Sequence, residues 1–332
     1  MSLDNLILDA FGQWLAGEVS AERVRRIDLG EPADGLWRSL AEHGFADLLL
    51  PEELGGAAAS PETACHLLFA AGGAALPLPL ASTWWARLAL AEAGFALPEG
   101  PIALASGERN GQGLSCQTVA FAAQSGWVLA TLPEDAWLLP LDSAQHQADG
   151  VHASATEELF WPEIPSGALR LSTDRDWHAL GATCTAALIP GAAERVLQLT
   201  LDFATTRQQF GKPVGGFQAV QQQISVLAEE VFAARMAAQL ALRGPTWPQG
   251  VPAAVAKARC SSAAVRICNI AHAVFGAIGV TEECDLQLYT RRLYAWRSDF
   301  GSEAYWQLMI GHAALRESGD NLAFLRRHLP AV

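Results

Sequence analysis

The run Thr206-Arg207-Gln208-Gln209-Phe210-Gly211-Lys212-Pro213-Val214, followed by Phe217-Gln218-Ala219-Val220-Gln221, sets a guanidinium, an aromatic ring and an amide at a corner between two long helical patterns. A guanidinium offers a planar fork of donors that fits a phosphate or pyrophosphate. Phe210 adds a ring face, and Gln218 adds an amide at the start of the next helix, placed to cap it or to reach a ligand. The same residues have a local reading. Arg207 ends a helix whose apolar stripe includes Val196, Leu199 and Phe203. A cation at a helix C-terminus gains about 0.3–1 kcal/mol from the helix dipole. Gly211 and Pro213 end that helix and set the turn. Lys212 reads as a solvated charge.

A second run, Phe275-Gly276-Ala277-Ile278-Gly279-Val280-Thr281-Glu282-Glu283-Cys284-Asp285-Leu286, follows the third C-terminal helix. Gly276 and Gly279 would let a backbone approach a ligand closely; a plain helix end with a glycine turn explains them equally well. Arg291 and Arg292 read as surface or interface ion pairs. Downstream, Asp299 and Glu303 are the carboxylates nearest the run and the weak candidates for a general base, which must lie within hydrogen-bond reach of the proton it takes. The alternative is an exposed acid near a helix start, favoured by the helix dipole.

Three blocks of sequence must position these groups. Residues 1–95 carry helical stripes, Leu6, Leu8, Phe11, Leu15 and then Leu36, Leu40, Phe45. They also hold Pro51-Glu52-Glu53-Leu54-Gly55-Gly56, a Pro/Gly turn with two surface carboxylates. Residues 96–172 change to short apolar runs split by Gly, Asp, Ser and Gln, such as Trp127-Val128-Leu129-Ala130, which predicts a small antiparallel β domain. Residues 173–332 return to helices, expected over about 183–207, 217–243 and 252–275 with a shorter pair after them. Val220, Ile224, Leu227 and Val231 form a core stripe at helical spacing. Long helices of this kind suit an up-and-down bundle.

Composition narrows the class. A chain of 332 residues buries a large core and divides into two or three domains. Charged residues make up only 17%, so part of the surface is expected inside an oligomer. A net charge of −13 argues against a nucleic-acid binder. The six cysteines show no metal-ligand spacing and read as free, mostly buried thiols. No basic-then-apolar leader opens the chain, and no uninterrupted apolar run reaches about 18 residues. A cytoplasmic protein without a membrane span is expected.

The corner closely resembles that of the acyl-CoA dehydrogenase family, roughly TRxQFGxPIxxFQ. The PEELGG turn resembles the family's N-terminal PEExGG signature, and the run from Phe275 resembles QxHGGIGFTWEHDLHLYLRR. In the last, the family Gln falls on Ala273, the His on Phe275 and the second Gly on Ala277. The resemblance implies a mainly α fold with a small middle β domain: an N-terminal helical domain, an antiparallel β domain and a C-terminal four-helix bundle that also makes the subunit interface. It implies FAD as cofactor and an acyl-CoA substrate. It also implies that Arg207, Phe210, Gln218, Gly276 and Gly279 serve the FAD of a neighbouring chain.

Two family features are missing. The middle-domain segment TEPxAGSD, which holds the flavin ring, has only Ala103-Leu104-Ala105-Ser106-Gly107-Glu108-Arg109-Asn110-Gly111 in its place, in a domain that looks shortened. The catalytic Glu has two family positions; ungapped counting puts Phe300 at one and Leu180-Gly181-Ala182 at the other. Short members of the family from steroid-degrading bacteria pair as heteromers in which one chain keeps the base and the other completes its FAD site. This chain resembles the second kind, one subunit of a heterotetramer. Two further readings stay open: a self-sufficient homo-oligomer with Asp299 or Glu303 as displaced base, and a flavin-dependent monooxygenase or structural binding protein on the same scaffold.

Overall fold

The computed structural model describes residues 3–148, 156–172, 175–243, 247–317 and 319–329. Its contacts divide the chain into two compact units, Met1–Ala64 with Leu76–Gly181 and Cys65–Ala75 with Ala182–Val332.

The first unit opens with helices α1 (Leu3–Glu18), α2 (Ala21–Asp28) and α3 (Asp34–Glu42), followed by α4 (Pro61–Gly73), which passes into the second unit, and α5 (Leu80–Glu92). Phe11, Trp14 and Phe45 form an aromatic cluster, with Phe11 meeting Phe45 edge-on at 4.9 Å. Such pairs add about 0.5–1.5 kcal/mol beyond the area they bury. Trp84 donates its indole N–H to the Phe45 carbonyl at 2.5 Å, tying α5 to that cluster. The PEELGG run is a tight turn with Gly55 at φ +81°, and a Cβ on Gly56 would lie 2.1 Å from the Leu50 carbonyl oxygen. Glu52 and Glu53 are exposed there, as expected of surface carboxylates.

Seven strands follow: β1 (Ile102–Asn110), β2 (Gly113–Ala120), β3 (Trp127–Thr131), β4 (Asp135–Pro140), β5 (Gln145–Ala148), β6 (Thr156–Trp161) and β7 (Leu169–Ser172). They form one sheet in the order β5-β6-β2-β1-β3-β4-β7. The expected antiparallel pairing holds except between β1 and β3, which run parallel. After the β1–β2 hairpin the chain returns through residues 121–126 to the far side of β1, and that crossover sets β3 in the same direction. A buried layer including Leu114, Val119, Val128, Leu139, Leu159 and Trp161 forms the core of the sheet.

The second unit is built on α6 (Trp177–Thr206), α7 (Gln218–Leu242), α8 (Gly250–Phe275), α9 (Leu286–Ser298), α10 (Glu303–Arg316) and α11 (Asn321–His328). The short strands β8 (Gln208–Gln209) and β9 (Lys212–Pro213) lie between α6 and α7. Helix α8 packs against α7, α9 and α10. Phe203 of α6 stacks on Phe275 of α8 at 4.3 Å. Glu230 of α7, 5% exposed, takes Arg259 at 2.6 Å and Arg266 at 2.8 Å from α8. By length and composition the stretch Gly250–Val280 is apolar enough to cross a membrane, although charges interrupt it. Here it is a bundle helix, with the fully buried Lys257 in its middle. The six cysteines are free; five are buried and Cys284 is half-buried.

Candidate functional site

The corner after α6 is a two-residue hairpin rather than a plain helix-ending turn. Gln208 pairs with Pro213 and Gln209 with Lys212. Phe210 and Gly211 form the turn at φ +54° and +82°, the pattern of a type I′ turn. Glycine accepts this conformation freely, whereas a residue with a Cβ holds it at a cost of about 1–2 kcal/mol. The strained residue is therefore Phe210, and its ring is 92% exposed. Arg207 stands at the hairpin base, where its N–H donates to the Phe203 carbonyl at 2.9 Å and its own carbonyl accepts from the Val214 N–H at 2.8 Å. The Arg207 side chain is exposed and forms no salt bridge among the described residues. Gln218 is exposed at the first position of α7, and no side chain caps that helix.

Lys212 is exposed, as its reading as a solvated charge expects, and it also has partners within the chain. Its Nζ donates to the Gly216 carbonyl at 3.1 Å and lies 4.2 Å from the centre of the Phe217 ring. The reversal at Phe210–Gly211 brings residue 212 back over residues 216 and 217. The Phe217 ring also meets Phe210 edge-on at 6.1 Å. Gln221 donates to the Gly215 carbonyl at 2.9 Å and holds the next turn.

The glycines of the second run have distinct local causes. Gly276 adopts φ +67°, ψ −148°, a region reserved in practice for glycine. Gly279 is buried, and a Cβ on it would lie 2.9 Å from the Phe275 Cβ and 3.1 Å from Leu286 Cδ2. The apolar side chains that do reach the surface here are Ile278 and Val280. Arg292 is buried rather than on the surface, and its guanidinium folds back along α9 to donate to the Leu288 carbonyl at 3.2 Å.

Asp299 and Glu303 flank the α9–α10 corner, and Glu303 is held within the chain. Arg297 grips Glu303 with Nε and Nη2, and this hydrogen bonding keeps the Glu303 carboxyl below its usual range. The Lys257 ammonium donates to the Trp296 carbonyl and, at 3.3 Å, to that of Arg297, so it caps the C-terminal carbonyls of α9. Burial pulls Lys257 down to about 8. Burial pushes Asp299 up to about 6, opposed by the nearby Lys257 charge. At the intervening position Phe300, with φ +54°, accepts from the Trp306 indole at 2.9 Å through its carbonyl. At the other place where the resemblance puts a base, Leu180 and Ala182 are buried and apolar. The sequence reading passed over Lys257; a lysine inside an apolar helical run was the available signal.

The segment standing in the flavin-ring position is strand β1, where a Cβ on Gly107 would press on Leu114 at 3.2 Å and Ala130 at 3.3 Å. The strand is buried over residues 102–105 and exposed at Ser106, Glu108, Arg109 and Asn110, in the order Ser-Gly-Glu rather than Thr-Glu-Pro. The residues of this chain fit an FAD at one end only. An exposed guanidinium without a salt bridge, an exposed ring and an uncapped helix start suit a diphosphate and its neighbours, while the Thr-Glu-Pro core is missing from the segment in the flavin-ring position.

A helical unit, a seven-stranded sheet and a long-helix bundle with this corner define an acyl-CoA dehydrogenase fold. Residues 179–315 match the model of the acyl-CoA dehydrogenase C-terminal domain. The chain is 30% identical to acyl-CoA dehydrogenase IpdE2 of Mycolicibacterium smegmatis over 265 residues, 78% of this chain and 81% of that protein. It is also 30% identical to acyl-CoA dehydrogenase FadE34 of Mycobacterium tuberculosis over 92% of this chain, but spans only 46% of that longer protein. Among solved structures it superposes on the Tcur3481–Tcur3483 steroid ACAD with a TM-score of 0.82 at 23% identity, covering 94% of this chain and 98% of that one. On the ChsE4–ChsE5 complex of Mycobacterium tuberculosis the TM-score is 0.81 at 20% identity, covering 96% and 99%. The chain belongs to the acyl-CoA dehydrogenase family, whose members are FAD-dependent oxidoreductases acting on CH–CH bonds.

Proposed function

We propose that this chain is the FAD-completing, base-lacking subunit of a heteromeric acyl-CoA dehydrogenase that introduces an α,β double bond into a CoA thioester. The observation that carries the reading is a division of labour. Arg207 is exposed and forms no salt bridge among the described residues, and Phe210, met edge-on by Phe217, is exposed too, while Glu303 is gripped by Arg297 and Asp299 lies within the field of the Lys257 charge. When bound, FAD accepts the hydride from the β-carbon. In this reading Arg207 holds the diphosphate of the partner's FAD, Phe210 covers it from water, and Gln218 adds an amide contact at the start of α7. Gly276 and Gly279 shape the neighbouring turn. The α-proton goes to a carboxylate of the partner subunit. Both superposed structures, Tcur3481–Tcur3483 and ChsE4–ChsE5, pair two polypeptides, which supports a two-chain assembly, and the first is a steroid ACAD, which supports a steroid-derived acyl group. FadE34, more than half of which lies outside the match, has room for a second unit of this size.

A homo-oligomer using Asp299 is the second reading. It is favoured by one property, a carboxyl raised to about 6, close to the working range of a general base. The test is the purified chain loaded with FAD and assayed with a panel of acyl-CoA esters and a dye acceptor, alone and with the partner subunit. The expected result is turnover only in the complex. Robust turnover of the single chain, abolished by Asp299→Asn, would establish the homo-oligomeric enzyme instead.

A further inference from the structure

We propose that Lys212 is a positioning residue whose grip on the Gly216–Phe217 turn presets the strained Phe210 hairpin before any ligand arrives. This deepens the reading above and rests on it for the identity of the ligand, the diphosphate end of an FAD held by a partner subunit.

The hairpin has little to hold it in isolation. Its strands are two residues each, and an isolated hairpin even of ordinary length is marginal in water. Phe210 adds strain, since its backbone sits at φ +54° with a full side chain. Its exposed ring gains little from burial in the chain itself. Something else must stabilise the turn, and the contacts converge on Phe217. The Lys212 ammonium lies over the face of that ring at 4.2 Å and donates to the adjacent Gly216 carbonyl at 3.1 Å. The edge contact with Phe210 uses the same ring. Gln221 fixes the Gly215 carbonyl from the first turns of α7, so the platform under Lys212 is anchored to a long helix. The Arg207–Val214 bond closes the base, so the order imposed by Lys212 reaches the residue that carries the guanidinium.

The functional consequence is preorganisation. A loop ordered only on binding gives up part of its contact energy to ordering, whereas one ordered beforehand does not. Lys212 therefore contributes to FAD capture without touching FAD.

Two measurements on the full chain and its complex test this. In the unliganded chain, hydrogen exchange of residues 206–217 should speed up in Lys212→Met and return toward the wild-type rate in Lys212→Arg, whose guanidinium can stay over the ring. In the complex, Lys212→Met should weaken FAD retention by about three- to tenfold, from loss of a cation–π contact and one hydrogen bond. Lys212→Arg should recover most of that loss. Added to Phe210→Ala, Lys212→Met should cost almost nothing more, because the two residues act as a unit. Unchanged exchange in Lys212→Met overturns the clamp. Faster exchange with unchanged FAD retention overturns the positioning role alone, provided Arg207→Ala still weakens retention. If Arg207→Ala is also without effect, the FAD-completing reading falls, and the positioning role falls with it.

Discussion

Arg297 holds Glu303 through two parallel hydrogen bonds, Nε to Oε2 at 2.9 Å and Nη2 to Oε1 at 2.5 Å. A carboxylate gripped in this way is fixed for structure and poorly placed to swing toward a substrate. Glu303→Gln is expected to leave turnover of the complex within about twofold. It should lower stability by about 0.5–1.5 kcal/mol, the usual worth of a partly exposed charge-assisted bond. Turnover in the complex and the urea midpoint, measured on the same preparation, check both halves.

Asp299 gives a pH signature. In the folded chain its carboxyl titrates at about 6, against 3.8 for the ordinary group. Between those values the folded state holds more proton than the unfolded one, so this residue makes stability fall as pH rises through that window. Asp299→Asn removes the slope. The variant should match the wild type near pH 4 and be the more stable of the two above pH 6. Urea titrations at several pH values decide it, and a variant equally destabilised at every pH would contradict the assignment.

Arg207→Ala should reduce FAD retention by the complex by roughly one to two orders of magnitude, as expected for loss of a charge-assisted contact of about 1.5–3 kcal/mol. Arg207→Lys should restore it only in part, because an ammonium lacks the planar fork. Equilibrium dialysis with the oligomer verified intact is the measurement. An unchanged affinity would leave Arg207 as a helix-end charge.

Gly191 has the tightest environment among the described glycines, with a Cβ placed 1.7 Å from the Phe69 carbonyl oxygen; Gly72 likewise meets the Leu188 carbonyl at 2.1 Å. The crossing of α4 and α6 depends on both. Gly191→Ala must push the backbones apart and should cost about 3 kcal/mol or more, at the upper end for overpacking. Thermal unfolding of the purified chain measures it, and a loss under about 1 kcal/mol would contradict so close a contact.

Phe232, 64% exposed, and Met236, 45% exposed, stand one turn apart on α7. The two form an apolar strip consistent with a proposed subunit interface. Phe232→Glu should shift the assembly to smaller species in sedimentation at micromolar concentration while leaving the fold unchanged by circular dichroism. An unaltered distribution would place the interface on another face.

Much of this protein is legible in one dimension because its signals are local. The long C-terminal helices were expected at 183–207, 217–243 and 252–275 and form over Trp177–Thr206, Gln218–Leu242 and Gly250–Phe275. Apolar spacing at the helical period and a nearby Gly or Pro are enough to place such elements. The corner motif carried the family in the same way, since its residue types lie within 16 positions of one another.

Tertiary structure decided what depends on groups distant in sequence. No local pattern says that β1 and β3 run parallel, because that follows from the path of residues 121–126 around a sheet already formed. Nor does one say that the Lys257 charge acts on Asp299, 42 residues later, or that Arg297 claims Glu303. Charge, burial and proton affinity are properties of surroundings, and the surroundings of a side chain are assembled only when the helices pack. The sequence by itself determined which residues this chain possesses for chemistry; packing decided that Arg297 grips Glu303 while Arg207 and Phe210 face out.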